Sequence, residues 1–482
     1  MSTHLVVRAG DLGAAAVLAV SRGGSLQLDD AALVPVRDGH ERLRHVLEAG
    51  LPVYGTTTGA GAQSGVALGD DARAAQSASI LLARQVGGPP WLTTPEVRAV
   101  LAVRLRTLLS GDSGAGPDLC RWIVSLLDAG VVPAVPRTAA GSAGEIVPLA
   151  HLFGHLAEDA SPLRQAGLEP HLLGPKEGIA LLAGVPVSTA LAILRADDAR
   201  LLLARSQVVA AAQVAVVGAS RDPFEPWTGR GDDVLTGLLE ELSRLSGPEP
   251  SPRHLQAPVS FRVVGPVLAQ VSRDVARLDA AVERALSGVT DSPALRPGDD
   301  RGVVGTAGFH GLDLAASADA VTASVVHAAS AGAARLHRML DPRVTGLPAQ
   351  LSADPGPQAG LVAVHKRAAG VVRGCQPVVS TAALAADTSL GQEDVQSAAV
   401  DATEATRRAL EAWRDVLACE LLGVHQATRL DPSRLESLTA PVRALLADVD
   451  AVLPAGTADR PWGRDVEALV GLLAEREEPG RT

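Results

Sequence analysis

Residues 52–65, PVYGTTTGAGAQSG, hold the only tyrosine of the chain, Tyr54, ahead of a run of Gly and Thr. Such a run is too flexible to be core and has no lysine to cradle phosphate, so it is expected to act as a lid that presents a phenol. A phenol of ordinary pKa, about 10, is a poor base at neutral pH but a usable proton donor, and a nearby cation would depress that value. Arg262 is the natural cation for this part. On the sequence alone, anion binding and a structural ion pair are equal readings of Arg262. The Gly-rich setting of Tyr54 favours an acid/base role over a hydrogen bond to a neighbouring subunit. Lys176 and Glu177, in PKEG, open a helix where a carboxylate suits the positive dipole end, and that structural role is preferred for Glu177. His151 and His155 stand four apart, but HLFGH lacks the glutamate of HExxH and no third ligand is apparent, so no metal site is expected.

The elements that must position these groups are helical. Residues 95–130, 146–160, 176–220, 262–287, 313–340 and 394–427 carry apolar side chains at spacings of three and four, with charges opposite. The span 313–340 is so rich in alanine that its helix can approach neighbours closely in a bundle. Pro/Gly/Ser clusters at 246–258, 288–302 and 341–360 read as loops between helices. The charge-rich stretch Gly456–Thr482 is expected to fray after a last helical piece. With 482 residues, 47% of them hydrophobic and 20% charged, the chain is long enough for one large core or two modest ones. Packing must use small residues, since there are four Phe, five Trp and one Tyr. A net charge of −11 argues against a nucleic-acid partner. Three cysteines without metal-type spacing suit reduced thiols in a cytoplasm. The longest uncharged stretches, Ala49–Gly69 and Gly178–Leu194, are broken by Pro and Gly, so neither a membrane span nor a signal peptide is expected.

The Tyr54 loop resembles the tyrosine loop of the histidine and phenylalanine ammonia-lyase family, and the resemblance continues in order along most of the chain. It runs through residues 104–136, 175–190 (PKEGIALLAGVPVSTA), 256–262 (QAPVSFR), 308–311 (GFHG), 340–356 and 391–394 (GQED). It implies a mostly α fold: residues 1–190 as an N-terminal domain with the tyrosine loop, 191–430 as a central bundle of long helices, and 431–482 as a helical C-terminal segment and tail. It also implies a homotetramer acting on a small molecule. In that family an Ala-Ser-Gly triad cyclises into an electrophilic methylideneimidazolone. Sliding the family pattern along this chain places Ser142-Ala143-Gly144 on the triad, followed by EIVPLAH. The methylidene arises when the central side chain loses water, and Ala143 has none to lose. No intact triad occurs elsewhere, so no cofactor is expected.

Carried over residue by residue, the resemblance puts Tyr54 on the catalytic base and Arg262 on the arginine that grips the substrate carboxylate. Phe309 falls on an aromatic near the prosthetic group, and Gln392 and Glu393 on polar residues near the substrate amine, Glu393 being taken as catalytic with Tyr54. Ala183 and Gly308 stand where the family has Asn, and Val259 where it has Tyr, which implies a roomier, more apolar cavity. Ala83 and Arg84 align with the pair that sets side-chain selectivity, where Arg84 would suit a polar or anionic tail. Glu145 replaces an Asp, and acid/base use competes evenly with stabilisation of the helix that follows it. The expected function is a cofactor-independent enzyme of the family carrying out elimination, isomerisation or cyclisation of a specialised metabolite. The alternative is an inactive homologue serving as a binding or scaffold protein.

Overall fold

The computed structural model of the chain describes residues 3–138, 141–156, 160–248, 251–298, 302–375, 381 and 388–476. The fold is mostly α, as the apolar spacing predicts. Among the described residues, strands are confined to two short pairs: Thr3–Val6 runs parallel to Ser25–Leu28, and Ala294–Leu295 pairs antiparallel with Val303–Val304. The long helices are Pro186–Val217, Val264–Ser287, Leu312–Met339 and Ala399–Leu430. One span, Glu177–Val217, is long and apolar enough to cross a membrane, and 94% of its most apolar window is buried inside the structure, as in a core helix.

The chain divides into two compact units. The first comprises Met1–Arg195, Leu278–Asp319 and Val379–Glu404, and the second Ala196–Arg277, Ala320–Val378 and Ala405–Thr482. In the second unit, Asp232 caps the helix Asp233–Ser246 by accepting the Leu235 N–H at 3.1 Å. Arg335 is buried there between Glu420 and Gln213, with Nε 3.0 Å from each side-chain oxygen. The last helix of this unit is Trp462–Ala474, and residues 477–482 of the expected tail lie outside the described residues.

The first unit is built on the helix Thr94–Leu108, whose Val97, Val100, Leu101 and Leu105 are fully buried. It packs against the helices Ala14–Ser21 and Pro117–Asp128. The helical span expected over 95–130 is therefore two helices. The break falls at Gly111 and Gly114, with φ of +80° and +73°, and a Cβ on Gly111 would lie 2.1 Å from the Pro35 carbonyl oxygen. The span expected over 176–220 is likewise split into Glu177–Leu182 and Pro186–Val217, with Gly184 at φ +82° between them and Pro186 at the first helical position. The helix expected over 146–160 is Ile146–Phe153 followed by a single tight turn, and residues 157–159 lie outside the described residues.

A buried ion network anchors the first turn of Thr94–Leu108. The Glu96 carboxylate accepts the Thr93 N–H at 2.8 Å, and Arg137 and Arg195 both donate to it. Arg137 also donates to Glu404 at 3.2 Å. Burial works to raise the Glu96 carboxyl, but the two arginines outweigh it and hold the group at about 2 against its ordinary 4.5. A carboxyl depressed in this way stabilises the fold above its unfolded value, and that stability is lost as the pH falls from about 4.5 through about 2. Glu96→Ala leaves two guanidinium groups facing a buried void, so a loss of about 3–5 kcal/mol is expected in urea unfolding at pH 7. The difference from the unsubstituted chain should shrink as the pH is lowered toward 3.

Candidate active site

Tyr54 sits on a turn closed by Thr57, whose hydroxyl accepts the Val53 N–H at 2.8 Å. The phenol is 37% exposed, and its oxygen accepts the Gly61 N–H at 2.7 Å. The turn Gly61–Gln63 lies against a second turn, Ser389–Gly391, which leads into Gln392 and Glu393. Glu393 reaches across to the segment on which the family resemblance places the triad. Its Oε2 accepts the Ala143 N–H at 2.9 Å and the Thr388 hydroxyl at 3.3 Å, while its Oε1 accepts the Ser389 hydroxyl at 3.1 Å. Arg84, just beyond the helix Asp70–Leu82, is half-buried, and its Nη1 donates to the Ile80 carbonyl at 3.1 Å. Burial pulls its pKa below the usual guanidinium range, opposed by Tyr54 and Glu393, which its charge faces. The first unit thus brings Tyr54, Arg84, Glu393 and the segment 142–144 together.

Phe309 stands beside Gly144, its Cβ 3.9 Å from where a side chain on that glycine would begin. The small cavity at this point has about 20 Å³, close to the room needed by one water, and its lining includes Ser142, Glu145, Phe309, Gln396 and Asp401. At Gly308 a Cβ would lie 1.9 Å from the Val289 carbonyl oxygen, so the neighbouring backbone fills the space a side chain would need. Ala183 is buried, and its carbonyl accepts from Arg104 rather than lining that cavity. Ala83 and Gln392 are exposed.

Arg262 and Val259 belong to the second unit, on the four-residue helix Val259–Arg262. Arg262 donates to the Gln256 side-chain oxygen at 2.9 Å and borders a groove of about 650 Å³ with Trp227, Leu255 and Val259, each of which is exposed.

The charges beneath the first site were only partly legible in the sequence. Glu145 is buried, and its carboxylate accepts the Val187 N–H at 2.5 Å and the Ser188 N–H at 2.8 Å. It therefore caps the helix Pro186–Val217, not the helix that follows it. Burial pushes its carboxyl up to about 7, opposed by those N–H donors and by Arg104. Arg104 was missed. It is fully buried, and burial pulls it down to about 10 against the charges of Asp291 and Glu145. The available signal was a lone arginine within the apolar run LAVRL. Lys176 adopts φ +66° and donates to the Ser113 carbonyl at 2.7 Å and to Asp291 at 3.1 Å. Glu177 accepts the Gly116 and Gly174 N–H groups, a structural role. His151 accepts the Gly87 N–H at 2.9 Å, and His155 stacks on Trp122, burial pulling it down to about 4. Among the described residues no group of three potential ligands could hold a metal.

The prosthetic group implied by the resemblance can be tested against these residues. Ser142 and Gly144 lie two residues apart, with the Ser142 hydroxyl donating to the Gly144 carbonyl at 2.7 Å. Ala143, between them, has no side-chain oxygen to leave as water. The residues present do not fit that group, and no step is derived through it. A separate expectation follows from the packing: Gly308→Ala must push the 308–311 turn away from Val289, with a loss of about 1–3 kcal/mol measured by thermal unfolding.

A histidine ammonia-lyase of Symbiobacterium thermophilum is 29% identical, the match covering 96% of this chain and 95% of that protein. A tyrosine ammonia-lyase of Cupriavidus metallidurans is 28% identical over 95% of this chain and 94% of its own length. The crystal structure of histidine ammonia-lyase from Trypanosoma cruzi superposes with a TM-score of 0.86 at 23% identity, covering 96% of this chain and 91% of that one. These relatives overturn the expectation of a cofactor-independent member that departs from ammonia release, and with it the alternative of an inactive scaffold. They are named as ammonia-lyases over nearly their whole lengths, and none is named as a cyclising or silent member. The expectation gave one position, Ala143, more weight than a likeness spread along the chain. The family described as aromatic amino acid lyase matches residues 12–451, and the chain belongs to it.

Proposed function

We propose that this protein is a lyase acting on a small amino acid, with Tyr54 handling the proton and Glu393 meeting the substrate amine. The observation that supports this most directly is the convergence of Tyr54, Arg84 and Glu393 on the segment 142–144 within one unit. The Gly61 N–H occupies one acceptor position of the Tyr54 oxygen, which leaves its O–H to point elsewhere. An ionised carboxylate has about four acceptor positions. Among the described residues, Ala143, Thr388 and Ser389 take three on Glu393, which leaves one for an ammonium group. Arg84 favours a substrate tail that is polar or anionic. Phe309 and Gln392 complete the surroundings, while Ala83 and Ala183 present little side-chain volume. Arg262 is carried as an anion-binding residue by the resemblance alone, in its own unit beside Val259, with Gln256 holding one edge of the guanidinium. By its resemblance and its cysteine usage the protein is assigned to the cytoplasm as a homotetramer, with no nucleic acid or membrane as partner.

The test supplies L-histidine, L-tyrosine, L-phenylalanine and L-glutamate separately and follows released ammonia together with the absorbance of the unsaturated acid. Turnover of at least one is expected, and Tyr54→Phe should lower kcat by about 10²–10⁴ with KM changed only a few-fold. Arg84→Gln should weaken any preference for histidine or glutamate over phenylalanine. Release of ammonia from none of the four, or a Tyr54→Phe variant as fast as the unsubstituted protein, sinks the proposal.

A further inference from the structure

We infer that Glu145 is a positioning residue whose charge ties the segment 142–144 to the amino end of the helix Pro186–Val217. The inference rests on the reading above that this segment is part of the active site. Glu145 follows Gly144 directly in the chain, so its side chain and that segment cannot move independently. Both carboxylate oxygens are engaged by the same helix terminus, at 2.5 Å to Val187 and 2.8 Å to Ser188. These are two of the first N–H groups of a helix, which have no partner within it, and the helix dipole favours a negative charge there. From the other side, Glu393 holds the Ala143 N–H at 2.9 Å. The segment is thus tied on either side of Gly144 by two carboxylates, one facing the Tyr54 loop and one facing the helix. Gly144 also lies close to the backbone that leads into this helix, 3.8 Å separating the position of its missing Cβ from the Gly184 oxygen.

A carboxyl that takes up a proton keeps one good acceptor oxygen and turns the other into a donor, so one of the two helix N–H groups loses its partner. Burial places this change near neutral pH, at about 7. The charges facing Glu145 come from several elements. Arg104 lies on the helix Thr94–Leu108, with Asp291 behind it paired to Lys176, and Asp401 lines the cavity from the helix Ala399–Leu430. Arg104 favours the ionised form, while Asp401 and Asp291 carry the same sign of charge as Glu145. Glu393 acts on the same segment through Ala143.

Amide hydrogen exchange of the full-length protein without substrate tests the inference, so its failure is separate from a failure of the proposed activity. After correction for intrinsic rates, the amides of Ala143, Val187 and Ser188 should be protected about tenfold more at pH 8 than at pH 6. Glu145→Gln, which resembles the protonated acid, should exchange at both pH values like the unsubstituted protein at pH 6, and Glu145→Asp should recover part of the gain. A helix cap with no influence on the segment would alter Val187 and Ser188 but leave Ala143 unchanged, and that result overturns the inference. So does a profile that is flat between pH 6 and pH 8 in the unsubstituted protein, a measurement that stands even if the glutamine variant fails to fold.

Discussion

Carboxylates that accept backbone N–H groups from segments distant in sequence hold the first unit together around its site. Glu177 accepts from Gly116, Glu145 from Val187 and Ser188, and Glu393 from Ala143. Hydrogen bonds to ionised acceptors are about twice as strong as neutral ones, and each of these joins a loop to a helix end or to another loop. The chain has little aromatic bulk with which to wedge its loops in place. Its backbones come close enough that Gly178 leaves no room for a Cβ beside Ser77, and Gly308 none beside Val289. In such a structure loop position is governed by which N–H groups find a carboxylate, more than by side-chain volume.

The same constraint explains what the sequence made legible. The long helices could be read from apolar spacing, and the breaks in the spans 95–130 and 176–220 fall at glycines with positive φ. Tyr54 and Glu393 could be named because short motifs carry them, Arg84 only by its place in the family alignment, and the first unit brings all three together. The partners of Glu145 were not legible, since the N–H groups it binds lie some forty residues further along and belong to a helix whose start is an ordinary Pro-Val-Ser. Gly308 was misread for a related reason. The loss of a side chain looks like added space in a sequence, but here the Val289 backbone occupies it.

The functional expectation failed differently. It rested on chemistry that is sound for a single residue, since an alanine has no water to lose, and extended that to the reaction of the whole protein. Relatives matched along nearly the full chain are named for ammonia release from amino acids. One position constrains how a site is equipped, whereas a match over residues 12–451 bears on the family to which the chain belongs. Fold likeness at 23% identity adds the architecture alone.

Backbone conformation adds a further step. Ser389 and Leu390 both hold φ at +55° and Ala398 at +50°, although none is glycine. Left-handed conformations in such residues cost about 1–3 kcal/mol each and persist only where surrounding contacts impose them. Two of these residues, followed by Gly391, lead into Gln392 and Glu393. The contacts that impose the turn are the pairing of Thr388 with Glu393 and the bonds from Ser389 and Ala143 to the Glu393 carboxylate. Leu390 is 97% exposed on this turn and gains nothing from burial in this chain. The turn is therefore not held by a hydrophobic anchor of its own. What holds it is the carboxylate it carries, so the strain is tolerated because it delivers Glu393 to the Ala143 N–H opposite the Tyr54 loop.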